Sequence, residues 1–311
     1  MTKTKKKYVI VLLGPTGVGK TDLSIDIAKH FNASIVSSDS RQLYKEMRIG
    51  TAVPTVEQLA AVKHYLIQTE SINTHYTAGR YEKEALSIIN ELHKESDFVV
   101  VSGGSGLYID ALCKGIDDIA PSNDTLRKEL TERLEKEGIE NLVDELRILD
   151  TEYVESLDVY NKSRVIRALE VCLSTGKKYS DLRTGVSKKR DFEIIKIGLT
   201  RPRPELYDRI NLRVDLMLEE GLEEEVKTLY PMRELNSLQT VGYREFFDFY
   251  DGNIDFETAV ELVKRNSRRY AKRQMTWFNR DKETKWYHPD DFEQIIKDLS
   301  LMGINIINKD L

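Results

Sequence analysis

The segment from Gly14 to Thr21 has the glycine spacing and the Lys-Thr ending of a phosphate-binding loop, G-x-x-x-x-G-K-[ST]. Glycines let successive backbone N–H groups turn toward phosphate oxygens, and the dipole of a following helix favours negative charge there. The Lys20 ammonium would reach the phosphates, and the Thr21 hydroxyl would be offered to Mg²⁺. The predicted phosphate-binding residues are Gly14, Pro15, Thr16, Gly17, Val18, Gly19, Lys20 and Thr21.

The context of this loop argues against a Gly-rich turn that binds nothing. The apolar run from Tyr8 to Leu13 precedes it, which predicts a strand, and apolar residues at helical spacing from Leu23 to Phe31 follow it. The same loop serves nucleotide kinases, NTPases and transferases with other phosphorylated donors. The surrounding residues must therefore decide the function.

Asp39 lies in the segment from Ser37 to Tyr44, directly after the second predicted strand. A carboxylate close to the phosphate loop could hold Mg²⁺ through water or take a proton from an acceptor nucleophile. The equally reasonable alternative is a helix N-cap, a position that Asp favours. After the fourth strand, Ser102 to Tyr108 carries no acidic residue where many nucleotide hydrolases have one, which disfavours a motor or switch NTPase.

A basic segment near the C-terminus, Val263 to Arg280, contains seven Lys or Arg residues and no Asp or Glu. On a helix, its basic residues share a face that suits phosphates along a nucleic-acid backbone. The interleaved aromatic residues Tyr270, Trp277 and Phe278 either stack on bases or anchor the helix in the core. A solvated face is the alternative, but solvated faces usually mix the two signs of charge.

Short β-branched runs alternate with helical patterns over much of the chain, which predicts an α/β fold with a parallel sheet flanked by helices. The predicted strands after the loop are 34–38, 63–68, 98–101 and 193–199, and a helix is predicted over 81–94. Ligands of such sheets lie beyond the carboxyl ends of the strands. We therefore expect the polar strand ends to meet at the phosphate loop.

The alternation stops between about Pro121 and Arg190, where leucines recur at helical spacing among dense charges and a helix is predicted to end at Thr175–Gly176. This pattern predicts a helical insertion domain at 119–192 within a P-loop core formed by 1–118 and 193–311. After the insertion, 204–230 is predicted to be a helix or a helix pair broken near Gly221.

The composition is typical of a globular protein without membrane spans. Of the 311 residues 40% are hydrophobic and 32% are charged, the net charge is −5, and Cys113 and Cys172 are the only cysteines. Two cysteines are too few for a disulfide framework, which favours a reducing compartment. The basic residues Lys3 to Lys7 lead into a strand too short for a secretory signal, so we expect the cytoplasm.

Seven blocks of the sequence together resemble the bacterial tRNA dimethylallyltransferase (isopentenyltransferase) family, and they occur in the family's order. The blocks are G-P-T-G-V-G-K-T at 14–21, S-x-D-S-x-Q-x-Y at 37–44, G-T-A at 50–52, G-G-S-G-L-Y at 103–108, N-x-x-R-x-x-R-A-L-E at 161–170, V-G-Y-R-E at 241–245 and A-K-R-Q-x-T-W-F at 271–278. The resemblance implies transfer of a dimethylallyl group from dimethylallyl diphosphate to N6 of adenosine 37, in tRNAs that read codons beginning with U.

By this resemblance, Asp39 is the general base, Lys20, Thr21 and the loop amides hold the diphosphate with Mg²⁺, and Arg213 reaches the diphosphate. Arg209, one helical turn away, is an alternative to Arg213, and both arginines equally suit i,i+4 pairing on a solvated face. The residues implied to contact tRNA are Asp39, Ser40, Arg41, Gln42, Ser105, Arg164, Arg167, Gly242, Tyr243, Arg244, Arg269, Lys272 and Arg273. For Arg164 and Arg167 the alternative is salt bridging to Glu170. The expected partners are the tRNA anticodon stem-loop and dimethylallyl diphosphate, with no membrane and a monomeric enzyme.

Two positions depart from the family pattern: Ser105 replaces the usual Thr and keeps its hydroxyl, and His64, where many members have paired histidines, is assigned no role. The main alternative function is a small-molecule or nucleoside kinase that binds ATP, with Asp39 activating a hydroxyl. A non-catalytic RNA-binding protein and an enzyme that prenylates free adenine nucleotides are weaker alternatives. The basic segment and the insertion exceed what a small acceptor needs.

Overall fold

The computed structural model describes residues 6–304, so Lys3 and Lys5 of the basic N-terminal segment lie outside the described residues. A parallel six-stranded sheet has the order β3-β2-β4-β1-β5-β6. Its strands are β1 Tyr8–Leu13, β2 Ile35–Ser37, β3 His64–Tyr65, β4 Phe98–Gly103, β5 Glu193–Leu199 and β6 Lys285–Tyr287. The expected α/β fold with a parallel sheet is confirmed.

The described residues form helices on both faces of this sheet and in the insertion. They are α1 Lys20–His30, α2 Val56–Ala61, α3 Ala78–Glu95, α4 Gly106–Lys114, α5 Asp124–Glu137, α6 Ile139–Leu149, α7 Thr151–Ser156, α8 Lys162–Thr175, α9 Tyr179–Leu182, α10 Arg203–Glu219, α11 Leu222–Leu229, α12 Arg244–Tyr250, α13 Phe256–Phe278 and α14 Phe292–Leu301. Two 3₁₀ turns are Tyr230–Met232 and Asn236–Leu238.

The central strand β1 is buried on both faces, as expected for a sheet covered by helices on each side. Because side chains alternate along a strand, Ile10 and Leu12 pack with residues of α1, α10 and α14. Val9 and Val11 pack on the other face with residues of α3 and α4. A third apolar cluster lies among α11, α12 and α13.

The register of the strands brings their carboxyl ends to one edge of the sheet. Leu13 at the end of β1 pairs with Gly103 of β4 and Gly198 of β5, and Ser37 of β2 pairs with Ser102 of β4. The phosphate loop and the segments after β2 and β4 therefore start side by side. This is the edge where ligands of open parallel sheets bind.

The chain divides into two compact units: a sheet unit, which runs up to Cys113 and continues from Lys189, and an insertion unit, Lys114–Lys188. The insertion unit contains α5 to α9 around its own apolar cluster. The sequence placed these boundaries at 119 and 192, a few residues further along the chain. Within the insertion unit, α8 ends at Thr175 and Gly176 caps it with a left-handed φ of 68°, as predicted.

The structure differs from the sequence prediction in two strands. The run 63–68 was predicted as a strand, but β3 contains only His64 and Tyr65, because Leu66 and Gln68 adopt positive φ angles of 60° and 50°. The three-residue β6 was not predicted, since it is too short to show a pattern. The predicted break near Gly221 is confirmed, with a φ of 98° between α10 and α11. Across residues 6–304, no helix combines the length and apolar character needed to cross a membrane.

Candidate active site

The segment Gly14 to Thr21 forms a loop between β1 and α1 that is suited to an anion. Gly17 and Gly19 have φ angles of 78° and 108°, a left-handed conformation that only glycine adopts at little cost. Within the described residues, the N–H groups of Gly17 and Gly19 have no hydrogen-bond partner. Because α1 begins at Lys20, its N-terminal dipole adds favourable potential for negative charge at the loop.

Lys20 lies in the interior of the loop, where its Nζ donates to the carbonyl oxygens of Gly14 at 2.9 Å and Pro15 at 2.8 Å. Burial lowers the pKa of Lys20 to about 8; the Asp39 carboxylate raises it, and the Arg213 guanidinium lowers it further. A lysine with so low a pKa is one whose positive charge lacks full compensation. Such a group is characteristic of a binding or catalytic site.

Two arginines of α10 contact the phosphate loop. Arg213 donates from Nη1 to the Thr16 hydroxyl at 3.2 Å, and exposed Arg209 donates from Nε to the Gly17 carbonyl at 3.0 Å. Burial lowers the pKa of Arg213, which shows that its charge is also poorly solvated. Both arginines therefore lie at the loop. Their positions leave open which of them would reach a diphosphate bound there.

Asp39 faces the same region from the end of β2. Its Oδ1 accepts the N–H groups of Arg41 at 2.8 Å and Gln42 at 3.2 Å, so it caps a turn and not the helix that the N-cap alternative required. Oδ2 has no hydrogen-bond partner among the described residues, which leaves one oxygen of the carboxylate available for chemistry. Capping and a proton-accepting role are therefore compatible in one side chain.

These groups line a single cavity of about 1290 Å³ in the sheet unit. Its polar wall comes from the phosphate loop, Asp39 to Gln42 and the two arginines, while Leu212, Leu216 and Val56 supply apolar surface. The volume exceeds that of a typical small-molecule pocket. The cavity therefore has room for a diphosphate, an apolar group and a further acceptor.

The oxygen donors of this cavity suit Mg²⁺. The Thr21 hydroxyl and the Asp39 carboxylate both line it, and Mg²⁺ is usually held by one or two protein oxygens together with phosphate oxygens and water. Among residues 6–304 there is no group of three or more His, Cys, Asp or Glu side chains that could hold a metal ion. A magnesium ion here would thus depend on a phosphorylated substrate for most of its ligands.

The sequence of this chain matches a protein-family model and is similar to the sequences of known proteins. The IPP transferase family model matches residues 42–281. The tRNA dimethylallyltransferase 1 of Phocaeicola vulgatus is 53% identical over 289 residues, which are 93% of this chain and 96% of that protein.

The chain belongs to the IPP transferase family.

Solved structures agree with this membership. The tRNA isopentenylpyrophosphate transferase of Bacillus halodurans has a TM-score of 0.69 and 36% identity, over 96% of each chain. A eukaryotic dimethylallyltransferase captured acting on tRNA has a TM-score of 0.79 and 26% identity, over 97% of this chain and 81% of that one. The predicted tRNA dimethylallyltransferase family, a class of prenyltransferase enzymes, is confirmed, and the kinase alternative is set aside.

In this transferase, the other predicted residues around Asp39 are held by main-chain contacts. Arg41 donates to the carbonyls of Asn236 and Ser237, and Gln42 donates to those of Thr51 and Ala52. The next two predicted residues contact each other: the Ser105 Oγ accepts the N–H of Ser40 at 2.8 Å and donates to its hydroxyl at 3.0 Å. All of them except Ser105 line the cavity.

The segment Gly242 to Arg244 divides into a buried and an exposed part. Tyr243 is fully buried and its hydroxyl donates to Glu225 at 2.7 Å, so its ring is packed in the core instead of facing an RNA base. The contact of Tyr243 with tRNA stays a prediction, and a buried ring limits it to the backbone in this conformation. Arg244 is exposed and, like Gly242, lines the cavity.

The basic segment is confirmed as part of helix α13, and its predicted RNA-contact residues Arg269, Lys272 and Arg273 are exposed. Tyr270 lines the cavity with Arg273, whose guanidinium lies 5.7 Å from the Tyr270 ring centroid. Trp277 instead anchors the helix, because its Nε1 donates to Asp110 at 2.9 Å. Trp277 and buried Phe278 thus anchor the helix, whereas base stacking by Tyr270 stays a prediction.

The two predicted arginines of the insertion unit differ in their surroundings. Arg164 is exposed on α8. Arg167 forms an ion pair with the fully buried Glu170 at 3.2 Å and donates to the Ala120 carbonyl at 2.6 Å. The salt-bridge alternative therefore describes Arg167, and its contact with tRNA stays a prediction.

Sequence reasoning missed two residues that hold the cavity together. The Glu225 carboxylate accepts the consecutive N–H groups of Arg48, Ile49 and Gly50 at 2.8–3.0 Å and so fixes one wall. The Gln274 amide joins the phosphate loop to the turn after β4. Each of these contacts joins residues at least 170 positions apart in the chain, so no local pattern signals it.

Proposed function

We propose that this transferase moves the dimethylallyl group of dimethylallyl diphosphate to N6 of adenosine 37, in tRNAs that read codons beginning with U, and releases diphosphate. The observation that carries the proposal is the pair of partly buried cations, Lys20 and Arg213, which line the cavity at a loop with unused N–H groups and opposite the Asp39 carboxylate. Uncompensated positive charge suits a polyanionic leaving group, and a nearby carboxylate suits a nucleophile that must lose a proton.

On the donor side, the bond between the allylic carbon and the diphosphate oxygen breaks as negative charge grows on the diphosphate. The loop amides, Lys20 and Arg213 stabilise that charge without having to reorganise, because the protein already holds them in place. Arg209, which also contacts the loop, supports the same anion from the exposed side. The apolar wall formed by Leu212, Leu216 and Val56 accommodates the prenyl chain.

On the acceptor side, the N6 amine of adenine attacks the allylic carbon. Its proton becomes acidic only as the new C–N bond forms, and Asp39 takes that proton. Because two backbone N–H groups fix the Asp39 Oδ1, the carboxylate keeps its orientation while its second oxygen accepts the proton. Holding both reactants in one cavity supplies a large part of the rate enhancement.

Several of the proposed RNA contacts in the sheet unit line the cavity. Adenosine 37 leaves the stacked loop to reach the reacting carbon, as in other enzymes that modify a base. Ser40, Arg41, Gln42 and Ser105 contact the flipped nucleotide and its neighbours. Positive side chains pair with RNA phosphates: Arg244, Arg269, Lys272 and Arg273 in the sheet unit, and Arg164 and Arg167 of the insertion unit at the anticodon stem-loop.

Mg²⁺ is the proposed cofactor, and Thr21 with the diphosphate oxygens would hold it. When bound, it neutralises charge on the leaving diphosphate. We further propose a monomer that acts in the cytoplasm, because one chain carries the phosphate loop, Asp39 and the basic helix, and because tRNA is the acceptor.

A transfer assay tests the proposal with labelled dimethylallyl diphosphate and two unmodified tRNA transcripts that differ only in adenosine or guanosine at position 37. We expect label on the adenosine transcript alone, loss of transfer with a chelator, and recovery on adding Mg²⁺. Label on both transcripts would contradict the assigned acceptor. No transfer, with ATP hydrolysed in a parallel reaction, would contradict the assigned donor.

A further inference from the structure

Gln274 is a buried polar residue of α13 whose side-chain amide has a partner on each side. Its Oε1 accepts the N–H of Thr16 in the phosphate loop at 2.9 Å. Its Nε2 donates to the Gly104 carbonyl, in the turn after β4, at 2.9 Å. The side chain is only 6% exposed, so both bonds lie in an environment where an unpaired amide is costly.

The turn after β4 is shaped to admit this contact. A Cβ at Gly104 would lie 2.4 Å from the Gln274 Nε2, and a Cβ at Gly106 would lie 2.4 Å from the Trp277 ring. Glycine at these two positions therefore lets α13 approach the turn closely. Helix α13 thus packs directly against the Gly103 to Gly106 turn.

Thr16 is fixed from two directions as a result. Its N–H is held by Gln274, and its hydroxyl accepts Arg213 Nη1 at 3.2 Å. Further along the loop, the N–H groups of Gly17 and Gly19 have no hydrogen-bond partner within the described residues. Gln274 therefore orients the loop so that these N–H groups are set for the donor's phosphates.

We propose that Gln274 is a positioning residue, which acts through Thr16 and Gly104 to hold the phosphate loop in the conformation that binds the diphosphate of the donor. The inference rests on the proposed function, because it assumes that the loop binds diphosphate. Gln274 does not itself contact the reacting atoms in this role. Gln274 therefore contributes to the affinity for the donor, and it contributes little to the affinity for tRNA or to the rate of the chemical step.

The test replaces Gln274 by Met, which has similar length and no amide, and measures the binding of inorganic diphosphate with Mg²⁺ by calorimetry. We expect the Kd for diphosphate and the KM for dimethylallyl diphosphate to rise about tenfold, as for loss of a buried hydrogen-bond pair. The KM for tRNA and kcat should change by less than about threefold, since the lost interaction is equal in the ground and transition states. Thr276→Ala, an exposed position on the same helix outside the cavity, is the matched control.

A double-mutant cycle with Gly104→Ala separates positioning from general destabilisation. The added methyl group displaces the Gln274 amide, so each single variant breaks the same link and the double variant should be no more than about threefold worse than either. If the two effects multiply, so that the Kd for diphosphate of the double variant rises about a hundredfold, the proposal is wrong. A Gln274→Met protein that melts earlier but binds diphosphate normally would also overturn it. If wild-type protein binds no diphosphate, the proposed function itself fails, and the inference fails with it.

Discussion

The positive charges at the phosphate loop lack the direct carboxylate partner that those of the Glu170 cluster have in the insertion unit. There, fully buried Glu170 lies 3.2 Å from Arg167 and 3.8 Å from Arg127, and it accepts hydrogen bonds from Ser122 and the Asn123 N–H. In the sheet unit, burial lowers the pKa values of Lys20 and Arg213, and neither forms an ion pair with a described carboxylate.

The difference distinguishes a structural cluster from the proposed ligand site. A buried charge is expensive unless it is paired and hydrogen-bonded, and the Glu170 cluster meets that condition within the protein. Lys20 and Arg213 at the loop do not meet it within the described residues, as expected for groups that bind an anion. A residue pattern rich in Arg and Glu is therefore weak evidence of function until its partners are known.

The largest expected effect concerns Asp39, the acidic member of the uncompensated site. Asp39→Asn keeps an oxygen that caps the Arg41 and Gln42 N–H groups but removes the proton acceptor, so kcat should fall about 10²- to 10⁴-fold. Single-turnover transfer assays measure this, with Asp26→Asn on the exposed side of α1 as control. Retained kcat in Asp39→Asn would remove Asp39 from the chemistry.

The next effect concerns the paired cluster. Glu170→Ala removes the buried carboxylate that pairs with part-exposed Arg167 and accepts bonds from Ser122 and Asn123, so the free energy of unfolding of the insertion unit should fall by about 1.5–3 kcal/mol. Urea unfolding and hydrogen exchange measure it. Glu145→Ala breaks the part-exposed pair with Arg133 in the same unit and should cost no more than about 1 kcal/mol. Equal losses in the two variants would contradict the structural role assigned to the buried Glu170 cluster.

The uncompensated charge of Lys20 predicts a pH dependence of donor use. Because the pKa of Lys20 is lowered to about 8, free enzyme loses this charge as the pH rises through that value. Above pH 8, kcat/KM for dimethylallyl diphosphate should therefore decline by up to about tenfold per pH unit. The same decline in a Lys20→Met protein would assign the ionisation to another group.

The stability of the ligand-free protein should change in the opposite sense over that range. The folded-state pKa of Lys20 lies below its ordinary value of 10.5, so the unfolded chain binds more protons between about pH 8 and 10.5. The contribution of Lys20 to the free energy of unfolding then rises with pH across this window. Urea titrations of wild type and Lys20→Met at pH 8 and 10 measure the difference, and a falling contribution would contradict the burial of this charge.

The smallest expected effect is on tRNA binding by Arg164 of the insertion unit, which is exposed and, unlike Arg167, is not paired with Glu170. Arg164→Ala should weaken tRNA binding about fivefold and reduce the slope of log K against log salt by about 1, as for one lost phosphate contact. Fluorescence anisotropy at several salt concentrations measures both, with Lys136→Ala on exposed α5 as control. An unchanged slope would remove Arg164 from the RNA interface.

The sequence by itself determined the features that depend on near neighbours. The glycine and lysine spacing of 14–21 specifies the loop conformation, β-branched runs specify the buried strands, and Gly176 and Gly221 end helices where left-handed φ angles are needed. These are short-range effects of backbone sterics and hydrophobic periodicity. The strand β3 was overestimated because the left-handed Leu66 and Gln68 carry no glycine signal.

Only the tertiary structure decided which polar side chains are paired. Gln274 meets Thr16 across 258 residues, Glu225 holds the Arg48 to Gly50 backbone across more than 170, and Tyr243 lies inside the core despite its place in a recognised motif. The same types of residue form a neutralised cluster at Glu170 and a site for an anion at Lys20. Whether a charge is compensated depends on groups brought together by folding, and residue type and local spacing do not contain that information.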